Sequence, residues 1–259
     1  ILLAGMHEGI TDTLILAQID LQNHLIALVS IPRDLFYHGR KINTLYLTSG
    51  IDRLLSVISA ITGVSVKKYV AIDMYAFIDV VNILGGIDIE LTEDLVDPTY
   101  RIKQNGEWTT LFYPAGKYHF NGLETLRIAR SRHFTSDFGR SERQQKIVEA
   151  LMHKMGTLSL TDMGTLYQLI SAVLPYVDTN LSPLEILGYI TQGTNFKISG
   201  TLVLNTDNIL YHNYTNLRAL GIKEEEAEET LDKGAYILLP LEDDWELLKE
   251  YIQTFFESN

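Results

Sequence analysis

Apolar residues in this chain fall into two kinds of pattern. Short dense runs of Ile, Leu and Val at 1–4, 13–20, 25–31, 68–73 and 87–91 have the composition of buried strands. The link Leu21-Gln22-Asn23 predicts an antiparallel hairpin between the second and third runs. Helical spacing takes over at Ile51, Leu54, Leu55, Ile58 and Ile61, then at Tyr75, Ile78, Val81 and Leu84, where Gly85-Gly86 stops it. Asn121 followed three residues later by Glu124 predicts a capped helix ending near Arg130. Another helix starts near Gly139 and carries Ile147, Val148, Leu151, Met152 and Met155 on one face. Further helices are expected over 161–174 and 183–192, the second with Ser182 as cap and Pro183 at its first position. Strands over 198–204 and 235–239 follow, and a helix over 242–256 with three acids in its first turn closes the chain.

Strands alternating with helices predict an α/β fold, a mixed central sheet flanked by helices, as one domain over 1–259. Residues 1–155 carry its polar motifs and 156–259 complete it. The aliphatic helix faces beyond 155 serve equally as core or as an apolar pocket for a lipid chain. No stretch reaches the roughly 18 apolar residues of a membrane-spanning helix, and no signal peptide is present. The chain opens on Ile-Leu-Leu-Ala-Gly, a strand-like start that leads us to expect an upstream segment such as an anchor.

One helix face breaks its own pattern. Stepping back three and four residues from the Ile147 stripe reaches Gln144 and Arg140 rather than leucines. A guanidinium buried without a partner is costly, so these side chains either line a polar site or reach out to water.

Charge sharpens that picture. The net charge is −12, which excludes a general nucleic-acid binder. Yet residues 127–146 hold six bases against two acids, a net of +4 that leaves −16 on the remainder. A basic island in an acidic chain suits a confined anion, or else a set of surface ion pairs. The absence of cysteine excludes disulfides, thiol nucleophiles and thiolate metal sites. There is no Gly-Lys-Ser/Thr phosphate loop, Gly-x-Gly-x-x-Gly, Gly-x-Ser-x-Gly or His-Glu-x-x-His, and the seven histidines lack metal spacing. What remains is the segment 130–146, with Arg130, Arg132, Asp137, Arg140, Arg143 and Gln144. Arginine forks beside a helix N-terminus suit phosphate oxygens, and a diphosphate is the expected ligand.

With these residues in view, the sequence closely resembles the LytR-CpsA-Psr family. The resemblance rests on Ser30-Ile31-Pro32-Arg33-Asp34, Lys41-Ile42-Asn43, Leu84-Gly85-Gly86-Ile87-Asp88, Ala115-Gly116-Lys117, Asn121-Gly122 and the block from Arg130 to Gln145, in family order. It implies a bacterial cell-surface enzyme held on the outer face of the membrane by an N-terminal anchor. Such enzymes transfer a glycan-1-phosphate from a polyprenyl-pyrophosphate carrier to a peptidoglycan hydroxyl and release polyprenyl monophosphate. It also implies that Arg33, Arg130, Arg132, Arg140 and Gln144 bind the pyrophosphate. Asp12 would be the carboxylate associated with Mg²⁺, and Asp34, Asp137 and Arg143 would support them. Two positions depart from the family pattern: His7 stands at an aspartate position, and Tyr37 where some members have arginine, with Arg40 nearby. Both a phosphotransferase and a non-catalytic polyprenyl-phosphate or envelope-polymer binding module fit this set.

Overall fold

The computed structural model describes residues 1–104, 106–131, 137–157, 167, 170–171, 173–193, 196–215 and 234–259. Its strands are β1 (Leu2–His7), β2 (Ile10–Asp20), β3 (Leu25–Ser30), β4 (Phe36–Tyr37), β5 (Arg40–Lys41), β6 (Tyr69–Asp73) and β7 (Ile87–Leu91). Then come β8 (Leu95–Gln104), β9 (Glu107–Tyr113), β10 (Gly116–Phe120), β11 (Val177–Thr179), β12 (Lys197–Val203), β13 (Leu210–Thr215) and β14 (Ala235–Pro240). The helices are α1 (Leu45–Thr62), α2 (Met74–Ile83), α3 (Gly122–Arg130), α4 (Asp137–Thr157), α5 (Pro183–Gly193) and α6 (Trp245–Glu257). They form two compact units. One comprises Ile1–Ile19, Ile26–Ala71 and Ser199–Asn259; the other comprises Asp20–Leu25 and Ile72–Ile198.

In the first unit strands lie in the order β6-β1-β2-β3-β12. Consecutive residues Leu14, Ile15 and Leu16 of β2 and Leu28 and Val29 of β3 are all buried, so both faces of these strands are covered. That is why they read as continuous apolar runs. Helix α1 packs on α6; Leu54, Ile58 and Ile61 of α1 and the stripe Leu248, Ile252 and Phe256 of α6 are all buried. Gly50 has non-helical φ/ψ within α1, and the apolar helical spacing accordingly begins at Ile51.

The second unit is built on two antiparallel pairs, β7 with β10 and β8 with β9. Its core joins Val81, Ile87, Ile89, Leu111, Phe120, Ile128 and Ile147. Helix α2 packs on α3, and α3 on α4. The approach of α2 to α3 depends on a glycine: a Cβ on Gly122 would lie 2.1 Å from the Ile78 carbonyl oxygen. The Gly122 N–H instead donates to Asn82 Oδ1 at 2.9 Å.

Strands β4, β5, β8, β9, β10, β11 and β13 have no counterpart in the sequence reading. The closing helix begins at Trp245, not at 242. Asp244 is its N-cap, accepting from the Glu246 and Leu247 amides, while Glu242 and Asp243 are left-handed. The carboxylate caps better than it could continue a helix, so the expected acidic first turn lies before it. Most of the helix expected over 161–174 lies outside the described residues; Leu174–Tyr176 form a 3-10 turn. Among the described residues no helix is long and apolar enough to cross a membrane.

Candidate functional site

The first unit gathers four charged side chains. Asp12 owes its place to a β-bulge: Gly5 pairs with Thr13 and Met6 with Thr11, so Asp12 is the extra residue of β2. Bulges free a side chain from the ladder and re-aim it. Beyond it the hairpin closes through Glu8 and Gly9, both with positive φ, as a two-residue hairpin turn of this hand requires. His7 lies opposite Ile10 beside that turn. Arg33 comes from the turn after β3, closed by the Leu35 N–H donating to the Pro32 carbonyl at 3.1 Å. Its Nη1 donates to Asp12 Oδ1, and its Nε stands 3.5 Å from Asp34 Oδ2. Asp34, buried, also accepts from Lys41 Nζ at 2.7 Å. The Asn43 N–H donates to the Arg33 carbonyl at 3.2 Å. Two motifs separate in sequence, Pro32-Arg33-Asp34 and Lys41-Ile42-Asn43, are therefore one interlocked structure. Arg40 is exposed in the β4–β5 hairpin opposite Tyr37.

The second unit makes a different cation site where α3 ends and α4 begins. Asn121 and Glu124 form the expected capping box, each side chain bonding the other's backbone N–H at 3.0 Å. Arg127 and Arg130 occupy the last turn, where the helix dipole favours positive charge. Arg130 Nη1 lies 3.3 Å from Met74 Sδ at the start of α2. The last carbonyls of a helix have no partner within it. Here α4 supplies them: Arg143 Nε donates to Ile128 O at 3.4 Å, Arg143 Nη2 to Ser131 O, and Gln144 Nε2 to Ala129 O at 3.2 Å. Burial pushes the Arg143 guanidinium pKa down, while Asp97, Glu142 and Glu93 act in the opposite sense. Arg140 is 5% exposed, so its side chain does not reach out to water.

The structure thus brings Asp12, Arg33 and Asp34 together in one unit. In the other it places Arg130, Arg143 and Gln144 at the α3–α4 corner, with Arg140 buried on α4. Arg132 lies outside the described residues, and of Asp137 only the backbone, at the start of α4, is described. Sequence reasoning missed the pairing of Lys41 with Asp34, because an ion pair across a hairpin leaves no spacing signal.

For Mg²⁺ the donor set is sparse. No group of three His, Asp or Glu residues among the described residues could hold a metal. Asp12 fits as a single carboxylate ligand to an ion that keeps waters and takes other oxygens from substrate phosphates, which is the habit of Mg²⁺.

The LytR_cpsA_psr family profile matches residues 4–234. The chain is 32% identical over 162 residues to TagV of Bacillus subtilis (strain 168), named a polyisoprenyl-teichoic acid–peptidoglycan teichoic acid transferase; the match covers 59% of this chain and 40% of that protein. To TagU of Bacillus cereus, which bears the same name, it is 31% identical over 187 residues, 69% of this chain and 57% of that protein. The chain spans about half the length of these curated relatives. Among solved structures, B. subtilis TagV superposes with a TM-score of 0.74 at 25% identity, covering 99% of this chain and 96% of that one. A structure of TagT bound to LIIa-WTA gives 0.70 at 20% identity, covering 98% and 88%, and shares the fold.

Proposed function

The chain belongs to the LytR-CpsA-Psr family, and on that premise we propose that it is a phosphotransferase of the cell envelope, acting at the outer face of the membrane. Its donor is a glycopolymer on a polyprenyl-pyrophosphate carrier and its acceptor a peptidoglycan hydroxyl. The acceptor oxygen attacks the sugar-side phosphorus, the P–O bond to the lipid phosphate breaks, and polyprenyl monophosphate and one proton are released. Phosphoryl transfer needs positioning and charge neutralisation more than covalent help from the protein.

One observation carries this reading: Arg143 and Gln144 are spent on the backbone carbonyls of Ile128, Ala129 and Ser131, which braces the end of α3 that bears Arg130. The corner so braced presents the Arg130 guanidinium, and charge-assisted bonds from guanidinium groups suit diphosphate oxygens. Arg130 and Arg140, with Arg132, hold the diphosphate; Arg143 and Gln144 position them. The apolar cluster of Ile170 with Leu174, Ile186 and Leu187 supports a place for the polyprenyl stem in the same unit. In the other unit, Arg33 donates to Asp12 and orients its carboxylate, the group that would hold Mg²⁺. That ion would supply charge neutralisation on phosphate oxygens.

The test is release of polyprenyl monophosphate from a polyprenyl-pyrophosphate-linked glycan in the presence of peptidoglycan fragments. Wild type is expected to transfer the glycan phosphate with Mg²⁺, and Asp12→Asn to lose transfer while keeping its fold. Tight lipid binding with no release under any metal would instead identify a non-catalytic binding module.

A further inference from the structure

The β8–β9 ribbon sorts its side chains by face. Lys103 stands opposite Trp108, Arg101 opposite Thr110 and Val96 opposite Phe112. Alternation along a strand sends Ile102 and Leu111 into the core of the second unit. The same alternation places Arg101, Lys103, Trp108 and Phe112 together on the outward face. All four are exposed, Trp108 to 63% and Phe112 to 53%. The Arg101 guanidinium carbon lies 5.7 Å from the centre of the Trp108 ring, a cation–π contact that orders both side chains. The ribbon's two acids, Asp97 and Glu107, fall on the opposite face by the same alternation. Two bases and two bare aromatic rings therefore share a surface free of the ribbon's own acids, in a chain whose net charge is −12.

We propose that this outward face docks on an anionic lipid bilayer, with Trp108 and Phe112 at headgroup depth and Arg101 and Lys103 on lipid phosphates. Aromatic rings of this kind settle at membrane–water interfaces, and nearby Lys and Arg are drawn to anionic leaflets. A strongly acidic protein meets such a leaflet only through a local basic patch. The choice of a bilayer as occupant rests on the proposed function, since a polyprenyl donor resides in one. A soluble anionic polymer would engage the two cations and leave Phe112 without purpose.

Vesicle binding, read without any substrate, separates this proposal from the transferase reading. The chain has two tryptophans, so Trp245→Phe leaves Trp108 as the sole indole reporter. Its emission should shift to the blue on vesicles of mixed phosphatidylcholine and phosphatidylglycerol and be quenched by brominated acyl chains. Phosphatidylcholine alone should produce little change. Arg101→Gln and Lys103→Gln should each weaken partitioning about fivefold. The double variant, checked for fold by circular dichroism, should still turn over detergent-dispersed donor. The proposal is overturned if Trp108 emission ignores the anionic vesicles or if the Gln variants bind them as wild type does. It is overturned too if inorganic polyphosphate, and not vesicles, occupies this face.

Discussion

Both candidate clusters hold a half-buried arginine, Arg33 in one and Arg143 in the other, yet they give it different hydrogen-bond partners. In the first unit Arg33 faces Asp12 and Asp34, and Lys41 closes on Asp34, so two cations meet two carboxylates and the group is neutral. In the second unit Arg143 donates to the backbone oxygens of Ile128 and Ser131. Those carbonyls orient it, while Asp97, Glu142 and Glu93 favour its charged form. The difference separates two kinds of order: an ion-paired cluster fixes a carboxylate in place, while an arginine bonded to carbonyls fixes the end of a helix.

The largest expected effect comes from disturbing the helix that carries the braced corner. Gly122→Ala drives a Cβ into the Ile78 backbone, and urea denaturation should show a loss of about 3 kcal/mol, the top of the usual overpacking range. A near-neutral result would mean that α2 and α3 separate freely and that the corner is not rigid. Next in size is a double-mutant cycle in the first unit. Asp34→Asn with Lys41→Met should show a coupling of about 1 to 3 kcal/mol, because each removes the other's nearest opposite charge in a largely enclosed site. A matching cycle of Arg143→Met with Glu142→Gln should couple by less than about 0.5 kcal/mol. Equal couplings would erase the distinction between the two clusters.

His119 combines both modes and should give the smallest effect. Its Nδ1 lies 2.7 Å from Asp88 Oδ1 and its Nε2 2.9 Å from the Gly85 carbonyl. Both partners accept, so the imidazolium satisfies them together. The bond to Asp88, then that to Gly85, raises the His119 pKa above its ordinary value. A raised folded pKa means that the stabilisation is complete below the unfolded value of about 6.5 and fades as pH climbs through the folded one. The melting temperature of wild type should therefore exceed that of His119→Gln on the acid side, with the gap shrinking above neutrality. A gap that widened at high pH would show that the neutral ring makes the contact.

Much of the first unit was legible in the sequence because its strands are buried on both faces and its helices carry clean apolar stripes. The β8–β9 ribbon was not. Pro98 interrupts its first strand, a register shift between Asp97 and Arg101 breaks the alternation, and the outward face puts Arg101, Lys103 and Trp108 where a strand pattern looks for aliphatics. Strand β13, with His212, Asn213 and Tyr214 exposed, hid for the same reason. The basic island was visible as charge, but its bracing was not: the bonds from Arg143 and Gln144 to the α3 carbonyls depend on how α4 packs against α3. Asp12 became a candidate only through family resemblance, because the bulge that re-aims it depends on the pairing of β1 with β2.

The central claim is that the α3–α4 corner holds a diphosphate through arginines. Calorimetric titration of a short polyprenyl pyrophosphate into wild type, Arg140→Lys and Arg140→Ala tests it most directly. Loss of a desolvated charge partner typically costs about 2 to 5 kcal/mol, so Arg140→Ala should bind at least about tenfold more weakly. Arg140→Lys, which keeps the charge but loses the fork, should fall between. Unchanged affinity in a folded Arg140→Ala protein would contradict the account.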